Sequence, residues 1–340
     1  MYKRQPLISI SLKKKSTTGG NSWLFMSRFP DFEIDDQWIL SHRGKKNPVD
    51  PSKPYNYFIE KERTVSGTIG DVSTIFLTNS ECPFRCLMCD LWKNTTDKPV
   101  PEGAIPEQID YALSKLPLTK HLKLYNSGNF FDKRAIPKND YEKIASLIEN
   151  FETVIVESHP GFINKNTLLF SDLIKPKLQV AIGLETVHQE VLQKLNKKMK
   201  LADFERSVRF LSSNGIFSRA FILLRPPFLS ESEGVSWAKK SISYAFRAGV
   251  SSCTVIPVRS GNGALDALAA NNYFEQPDIR SLEEVIEYGI ELNEGLIFSD
   301  LWDIDSFSSC NKCLERRKER LLQMNLNQII YPQILCSCTV

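Results

Sequence analysis

Short β-branched, apolar runs alternate with longer amphipathic stretches through the middle of the chain, which is the pattern of a parallel sheet with helices between its strands. The apolar runs predict six strands, over residues 73–78, 121–125, 153–157, 178–183, 217–224 and 253–258. The amphipathic stretches predict helices, among them residues 106–116, 140–150, 201–213 and 231–248. Six such units predict an α/β fold, a partial (β/α)6 barrel of the TIM type that is open on one side.

The composition is that of a globular protein with metal ligands. The 340 residues are 42% hydrophobic and 24% charged, and the net charge of +3 is too small to indicate nucleic acid on its own. No apolar run approaches the length that spans a bilayer, so we expect no membrane partner. Seven of the eight cysteines fall in tight clusters with no signal peptide before them. We therefore expect metal ligands in the reducing cytoplasm rather than disulfides.

Changes in composition divide the chain into four segments. Residues 1–25 are basic, rich in Ser and Gly and free of acidic residues, so we expect them to be disordered, with Met26 a candidate functional start. Residues 26–69 form a lead-in whose Pro and Tyr content suggests extended chain. Residues 70–300 are expected to form the barrel core, and residues 301–340 a small Cys-rich C-terminal element that binds a metal.

Three cysteines in the frame Cys-x3-Cys-x2-Cys, namely Cys82, Cys86 and Cys89, directly follow the first predicted strand. In parallel sheets of this kind, functional sites gather at the carboxyl ends of the strands. Three thiolates can hold three irons of a four-iron four-sulfur cluster and leave the fourth iron open. A structural zinc site is the alternative, but such a site has four protein ligands. No Cys or His lies within thirty residues after Cys89 to supply the fourth. The frame therefore favours the cluster.

This frame resembles that of the radical S-adenosylmethionine (radical SAM) superfamily. The resemblance implies that the open iron chelates the amino and carboxylate groups of SAM, and that one electron from the cluster cleaves SAM to a 5'-deoxyadenosyl radical. It also implies a small electron donor protein as partner. Superfamily members usually carry an aromatic residue just before the third cysteine, where this chain has Met88.

Polar residues that follow the next strands are candidates for binding SAM. Ser127, Gly128 and Asn129 stand where the superfamily often has a Gly-Gly-Glu stretch, and the resemblance implies that they accept hydrogen bonds from the SAM ammonium. The alternative for this segment is an ordinary turn.

Two carboxylates end the third and fourth predicted strands. Glu157 and Glu185 can each accept two hydrogen bonds from the ribose hydroxyls of a nucleoside. Lys197 is a candidate for neutralising the SAM carboxylate and is favoured over Lys198, with a solvated charge pair at a helix end as the alternative. We expect His159 to be a packed or capping residue rather than a ligand.

Other segments resemble particular radical SAM families. The residues ending in Glu157, Gly-Leu-Glu-Thr at 183–186 and Leu-Asn-Lys-Lys-Met at 195–199 resemble the branch of the Elongator catalytic subunit and oxygen-independent coproporphyrinogen oxidase. Within it, residues 127–132 and 225–231 resemble the radical SAM protein of archaeosine biosynthesis, RaSEA, and the similarity covers about residues 70–300.

In the RaSEA family a partner enzyme attaches lysine to a cyano-deazaguanine base in tRNA, and the radical enzyme then breaks the lysine side chain to leave a formamidine. The resemblance implies lyase chemistry on a tRNA nucleoside, with tRNA and a tRNA-modifying enzyme as partners. Two alternatives stay open. One is a radical SAM enzyme that acts on a small molecule other than RNA, and the other is a non-catalytic iron–sulfur or zinc scaffold protein.

Arg225 is the candidate catalytic residue, because it ends the fifth predicted strand just before two prolines. At the mouth of the barrel its guanidinium could grip a carboxylate or phosphate of the substrate with two hydrogen bonds. The alternative is a structural ion pair with an acidic residue of the next helix.

The C-terminal segment carries two further cysteine pairs, Cys310 with Cys313 and Cys336 with Cys338. They flank a predicted basic helix over residues 314–325, an arrangement that suits a four-ligand metal site. Zinc is the first choice and a second iron–sulfur cluster the alternative, since the ligand types alone do not separate the two. Cys253 stands alone in a strand and is expected to be an ordinary buried residue.

Overall fold

An eight-stranded sheet organises the computed structural model, which describes residues 29–308 and 310–336. The order of the strands in the sheet follows their order in the chain, and the sheet curls into a half-barrel. β1 pairs antiparallel with β2, and every later strand pairs parallel with the one before it. The strands are β1 Asn56–Arg63, β2 Ile69–Phe76, β3 His121–Tyr125, β4 Thr153–Ser158, β5 Lys177–Glu185, β6 Phe217–Leu224, β7 Ser252–Pro257 and β8 Leu296–Ser299.

Helices follow most of the parallel strands, and several of them pack on the convex face of the sheet. They are α1 Asp36–His42, α2 Ala104–Leu113, α3 Tyr141–Leu147, α4 Lys165–Leu173, α5 Gln189–Lys194, α6 Leu201–Ser213, α7 Glu231–Ala248, α8 Ala264–Ala270, α9 Ile279–Leu292 and α10 Asn311–Asn327. Within the part of the chain described, no helix combines the length and the apolar character needed to cross a bilayer.

The number of strands differs from the expected six. All six predicted strands are present, but β1 and β8 are additional, so the sheet has seven parallel strands and one antiparallel strand. β1 was missed because its sequence, NYFIEKER, is strongly charged, and β8 because it has only four residues. The expected disorder of residues 1–25 and the proposed start at Met26 lie outside the described residues.

The core lies between the convex face of the sheet and the helices. Because side chains alternate along a strand, every second residue of each strand faces this layer. Apolar side chains from neighbouring strands therefore stack beneath the helices, fully buried at Ile75, Leu122, Val156, Ile182 and Ile222. Cys253 belongs to the same buried layer, as expected. The remaining residues of each strand face the concave interior, where the site lies.

A buried ionic network ties β1 across the concave face. The Glu62 carboxylate accepts hydrogen bonds from both terminal nitrogens of Arg219, at 3.1 and 2.6 Å, and from Lys123 Nζ at 2.6 Å. Lys123 Nζ also donates to Glu60 Oε1 at 2.8 Å. Burial alone would raise the pKa of Glu62, but the two cations outweigh it and hold the pKa well below the usual range. The two acidic residues of β1, Glu60 and Glu62, are thus neutralised by residues of β3 and β6.

Candidate functional site

The cysteine loop follows β2 at the carboxyl edge of the sheet and is held by loops after other strands. Leu87 N donates to Leu195 O at 2.9 Å. Asn196 Nδ2 donates to Arg85 O at 2.7 Å, and Asn262 Nδ2 donates to Leu87 O at 2.8 Å. Asn262, in the Gly-rich loop after β7, was not singled out in the sequence as a support of the cysteine loop. These bonds hold the backbone that carries the three thiols.

The surroundings of Cys82, Cys86 and Cys89 fit a thiolate-bound metal cluster. Burial raises the pKa of all three thiols, that of Cys86 to about 12, so in the protein alone they stay protonated near neutral pH. Asn129 Nδ2 donates to Cys82 Sγ at 3.2 Å, and the charge of Lys197 opposes the rise at Cys82 and Cys86. A hydrogen-bond donor and a cation beside these half-buried cysteines favour thiolates once a metal replaces the protons.

His159 packs against the cysteine loop, as expected for a packed or capping residue. Its ring stacks on Phe84 with centroids 3.9 Å apart. Gly161 N donates to its Nδ1 at 3.0 Å, so Nε2 carries the proton and donates to Lys197 O at 2.9 Å. Burial lowers the pKa of His159 to about 4, and the ring is therefore neutral near pH 7.

The turn after β3 lies directly against the cysteine loop. A Cβ on Gly128 would stand 3.7 Å from Cys82 Cβ, and Asn129 bonds to Cys82 as described above. Ser127 has a positive φ of 52° and shares a hydrogen bond of 2.9 Å with the Tyr55 hydroxyl. The structure thus brings Ser127, Gly128 and Asn129 together with the cysteines, while their role towards SAM stays a prediction.

Glu157 organises this turn, a task that the sequence did not reveal. Asn126 N donates to Glu157 Oε1 at 2.8 Å, and the backbone of Ser127 and Gly128 also hydrogen-bonds to the carboxyl group. Burial nevertheless raises the pKa of Glu157 to about 7, against the opposing effect of these donors. Binding of ribose by Glu157 stays a prediction, and the carboxylate would then serve both the turn and the nucleoside.

Glu157 should make the stability of the metal-free protein depend on pH. In the unfolded chain a Glu carboxyl has a pKa near 4.5, so between that value and about 7 the folded protein binds more protons and loses stability as the pH rises. We expect the melting temperature of the native protein to fall through this window, and the fall to be smaller in Glu157→Gln. The exposed Glu190→Gln is the control. Superimposable pH profiles of the native protein and Glu157→Gln would contradict the assignment.

Glu185 and Lys197 meet each other beside the cysteines. β5 has an irregular register between Gly183 and Glu185, and Glu185 has a positive φ of 65°. Its Oε1 accepts from Lys197 Nζ at 2.5 Å, with both side chains buried. A Cβ at residue 183 would overlap both groups, so a side chain there would displace the ends of Glu185 and Lys197. Lys197 is therefore not a solvated charge, whereas the side chain of Lys198 is about half exposed.

Arg225 is held by acidic groups of its surroundings. Its Nη1 donates to Glu231 Oε2 at 2.6 Å and to Gln276 O at 2.7 Å, and its Nη2 pairs with Glu275. Glu231 begins α7, so the structure contains the ion pair that was the alternative for this residue. A grip on substrate stays a prediction, and it would require Arg225 to share its donors or to leave a carboxylate.

Three of the C-terminal cysteines converge although they lie outside the barrel. The Sγ atoms of Cys310, Cys313 and Cys336 all lie within 4.8 Å of one another. The expected fourth ligand, Cys338, lies outside the described residues. The predicted helix between the pairs is α10, which is longer than expected and includes Cys313.

Comparison with known proteins supplies relatives in sequence and in fold. No protein-family model matches the chain. An uncharacterized protein of Methanocaldococcus jannaschii is 25% identical over 320 residues, which cover 87% of this chain and 88% of that protein. Archaeosine synthase subunit beta of Thermococcus kodakarensis is 28% identical over 195 residues, which cover 53% of this chain and 60% of that subunit.

The fold is similar to that of methylornithine synthase, whose crystal structure superposes with a TM-score of 0.51 at 16% identity over 72% of this chain and 69% of that chain. This similarity agrees with the curled, mostly parallel sheet described above. The resemblance predicted from the motifs is therefore confirmed at low identity: the chain is similar in sequence to archaeosine synthase subunit beta, and its fold is similar to that of methylornithine synthase.

Proposed function

We propose that this protein is a radical SAM enzyme in which Cys82, Cys86 and Cys89 hold a four-iron four-sulfur cluster. The observation that carries the proposal is the set of three half-buried cysteines at the carboxyl edge of a half-barrel, with Asn129 and Lys197 beside them. When bound, the cluster would supply the electron that cleaves SAM to a 5'-deoxyadenosyl radical.

The residues around the thiols suit SAM in the predicted way. The turn at Ser127, Gly128 and Asn129 would receive the amino group of SAM, because it lies against Cys82 and Glu157 orients it. Lys197 Nζ has three donors and gives one to Glu185, so it keeps donors for the SAM carboxylate. The second carboxylate oxygen of Glu185 could accept from a ribose hydroxyl. The buried pair would therefore bind as one unit.

For the substrate we propose a nucleoside of tRNA and a lyase reaction like that of archaeosine formation. The sequence relatives named archaeosine synthase subunit beta support this substrate. Aromatic rings on and around the concave face also suit a planar base, since Phe76 contacts Tyr125 and Tyr125 contacts Phe221 at ring-centroid distances of 6.0 and 6.4 Å. Because these relatives are named as one subunit of archaeosine synthase, we propose that this protein works with a tRNA-modifying partner enzyme. A small electron-transfer protein would reduce the cluster.

Anaerobic reconstitution with iron and sulfide tests the proposal. We expect the visible absorbance of a four-iron cluster and release of 5'-deoxyadenosine from SAM on reduction, and we expect a lysine-modified deazaguanine tRNA to increase that release. A scaffold protein would release none. Release that a small molecule stimulates and tRNA does not would retain the radical chemistry and overturn the tRNA substrate. For the C-terminal cysteines we propose a bound metal.

Removing either carboxylate should weaken SAM binding. Glu157→Ala and Glu185→Ala are each expected to cost about 1–3 kcal/mol of binding free energy, because hydrogen-bonding groups lose their partners. Glu157→Ala also releases the turn, and Glu185→Ala leaves Lys197 without its counter-charge. Anaerobic titration calorimetry measures the affinity, with the exposed Glu190→Ala as control. Unchanged affinity in both variants would place the ribose elsewhere.

A further inference from the structure

A cluster of three thiols outside the barrel joins two segments that are distant in the chain. Cys310 is the N-cap of α10 and Cys313 lies in its first turn. Cys336 comes from the segment that follows α10, residues 328–336, here called the return segment. Cys336 Sγ lies 3.5 Å from Cys310 Sγ, and all three sulfurs lie within 4.8 Å of one another.

The spacing of the sulfurs decides between the two metals that the sequence left open. Zinc–sulfur bonds of about 2.3 Å directed to the corners of a tetrahedron place the sulfurs about 3.8 Å apart. A four-iron cluster instead binds each thiolate to a different iron, so the body of the cluster separates the sulfurs. The observed spacing leaves room for one ion between the thiols and not for a cluster. It also exceeds the sulfur–sulfur bond of a disulfide, which is about 2.05 Å.

The geometry points to a single ion of the zinc type bound by Cys310, Cys313 and Cys336. Cys338, two residues after Cys336 in the sequence, lies outside the described residues. The ion would link the return segment covalently, through its metal–sulfur bonds, to the start of α10. The site is separate from the thiols after β2, so the inference goes beyond the proposed radical chemistry and does not depend on it.

The end of the return segment gains from such a bond because, although Tyr331 packs against the core, other apolar side chains of the segment bury little surface. Ile329 is mostly exposed, and the side chain of Leu335 is 86% exposed. What holds the backbone is a pair of buried cations on α10: Arg317 donates to Ile334 O at 2.8 Å, and Arg320 donates to Tyr331 O at 2.6 Å. Each hydrogen bond from a charged donor contributes much less to stability than a structural zinc ion can contribute.

Positive charge and a helix N-terminus lie beside the thiols that would bind the ion. Arg280, near the start of α9, attracts Cys336 electrostatically. Cys310 and Cys313 stand at the N-terminus of a 17-residue helix, where the helix dipole favours negative charge. The buried cations Arg317 and Arg320 are already neutralised by Glu283 and Glu287 of α9, so they anchor α10 to the barrel rather than supplying charge to the thiols.

Metal analysis of the full-length protein tests this inference. In a variant with alanine at Cys82, Cys86 and Cys89, which removes the proposed cluster ligands, we expect about one zinc and no stoichiometric iron per chain. Cys310→Ser and Cys336→Ser, added separately, should each reduce zinc at least about tenfold, as expected for loss of a direct ligand. Cys253→Ala is the matched control, because Cys253 is a buried cysteine outside the cluster, and it should keep the zinc.

A second measurement covers variants that fail to fold. Zinc is removed from the triple-alanine protein with a chelator and replaced by Co²⁺, for which we expect the intense visible bands of tetrahedral thiolate coordination and recovery of the melting temperature. Proteolysis of the metal-free protein should begin in the return segment. About four irons per chain in the triple-alanine protein would overturn the inference in favour of a cluster. A Cys310–Cys336 disulfide under non-reducing mass spectrometry, or absence of bound metal, would overturn it as well.

Discussion

The substitution Cys86→Ala is expected to abolish both the four-iron cluster and SAM cleavage while leaving the fold intact. A four-iron cluster held by three thiolates has one protein ligand on each of three irons, so two thiolates leave a second iron unprotected. Loss of groups that merely support metal ligands already costs about 10- to 100-fold. For loss of the ligand itself we expect 5'-deoxyadenosine release to fall by more than about 100-fold. Chromatography of the reduced reaction mixture measures it.

The matched control for this experiment is Cys253→Ala. Cys253 is fully buried in the core layer, so its replacement should lower stability somewhat and keep both the cluster and SAM cleavage. Circular dichroism of Cys86→Ala should match that of the native apoprotein. Continued cleavage of SAM by Cys86→Ala would mean that the three cysteines after β2 are not the cluster ligands.

Neutralising Glu62 should strongly destabilise the barrel. Glu62→Gln keeps the shape of the side chain but leaves Arg219 and Lys123 buried with too little negative charge around them. Breaking a buried ion pair by removing one partner costs about 3–5 kcal/mol. Urea denaturation of the apoprotein should show a loss of this size in the free energy of unfolding.

Glu60→Gln provides the comparison within the same strand. Glu60 also contacts Lys123, but its side chain is 38% exposed, so water can compensate for the lost charge. We expect a loss of about 1 kcal/mol or less. Equal losses in the two variants would show that the network is accessible to water and that burial does not set the energy of the Glu62 interactions.

Much of the barrel could be predicted because its signals are local. β3 and β6, together with α6 and α7, have the predicted bounds, since β-branched runs and amphipathic stretches stand out wherever one face is buried. α7 also carries both end signals, with the Glu233 carboxylate accepting from Ser230 N and with Gly249 at a positive φ. β1 was not predicted because its inward-facing residues include Glu60 and Glu62, so it lacks the apolar alternation that identifies strands.

For the candidate site, too, some features could be predicted from the sequence and others depended on the tertiary structure. The sequence alone determined the cysteine frame, the strand end that carries it and the residues expected at the neighbouring strand ends, because all of these depend on spacing along a covalent chain. Only the tertiary structure decided how those residues are used: Glu157 holds the turn, Glu185 pairs with Lys197, and the acidic groups around Arg225 engage it.

The physical reason is that the partner of a charge is set by proximity in space. Glu62 and Arg219 are 157 residues apart in the chain, and Cys310 and Cys336 are 26 apart. Neither distance in sequence indicates contact, and each residue has other acids, bases or thiols nearer to it along the chain. The sequence therefore determined which chemical groups are present and which strands present them, and the curling of the sheet and the return of the chain along α10 decided which of them meet.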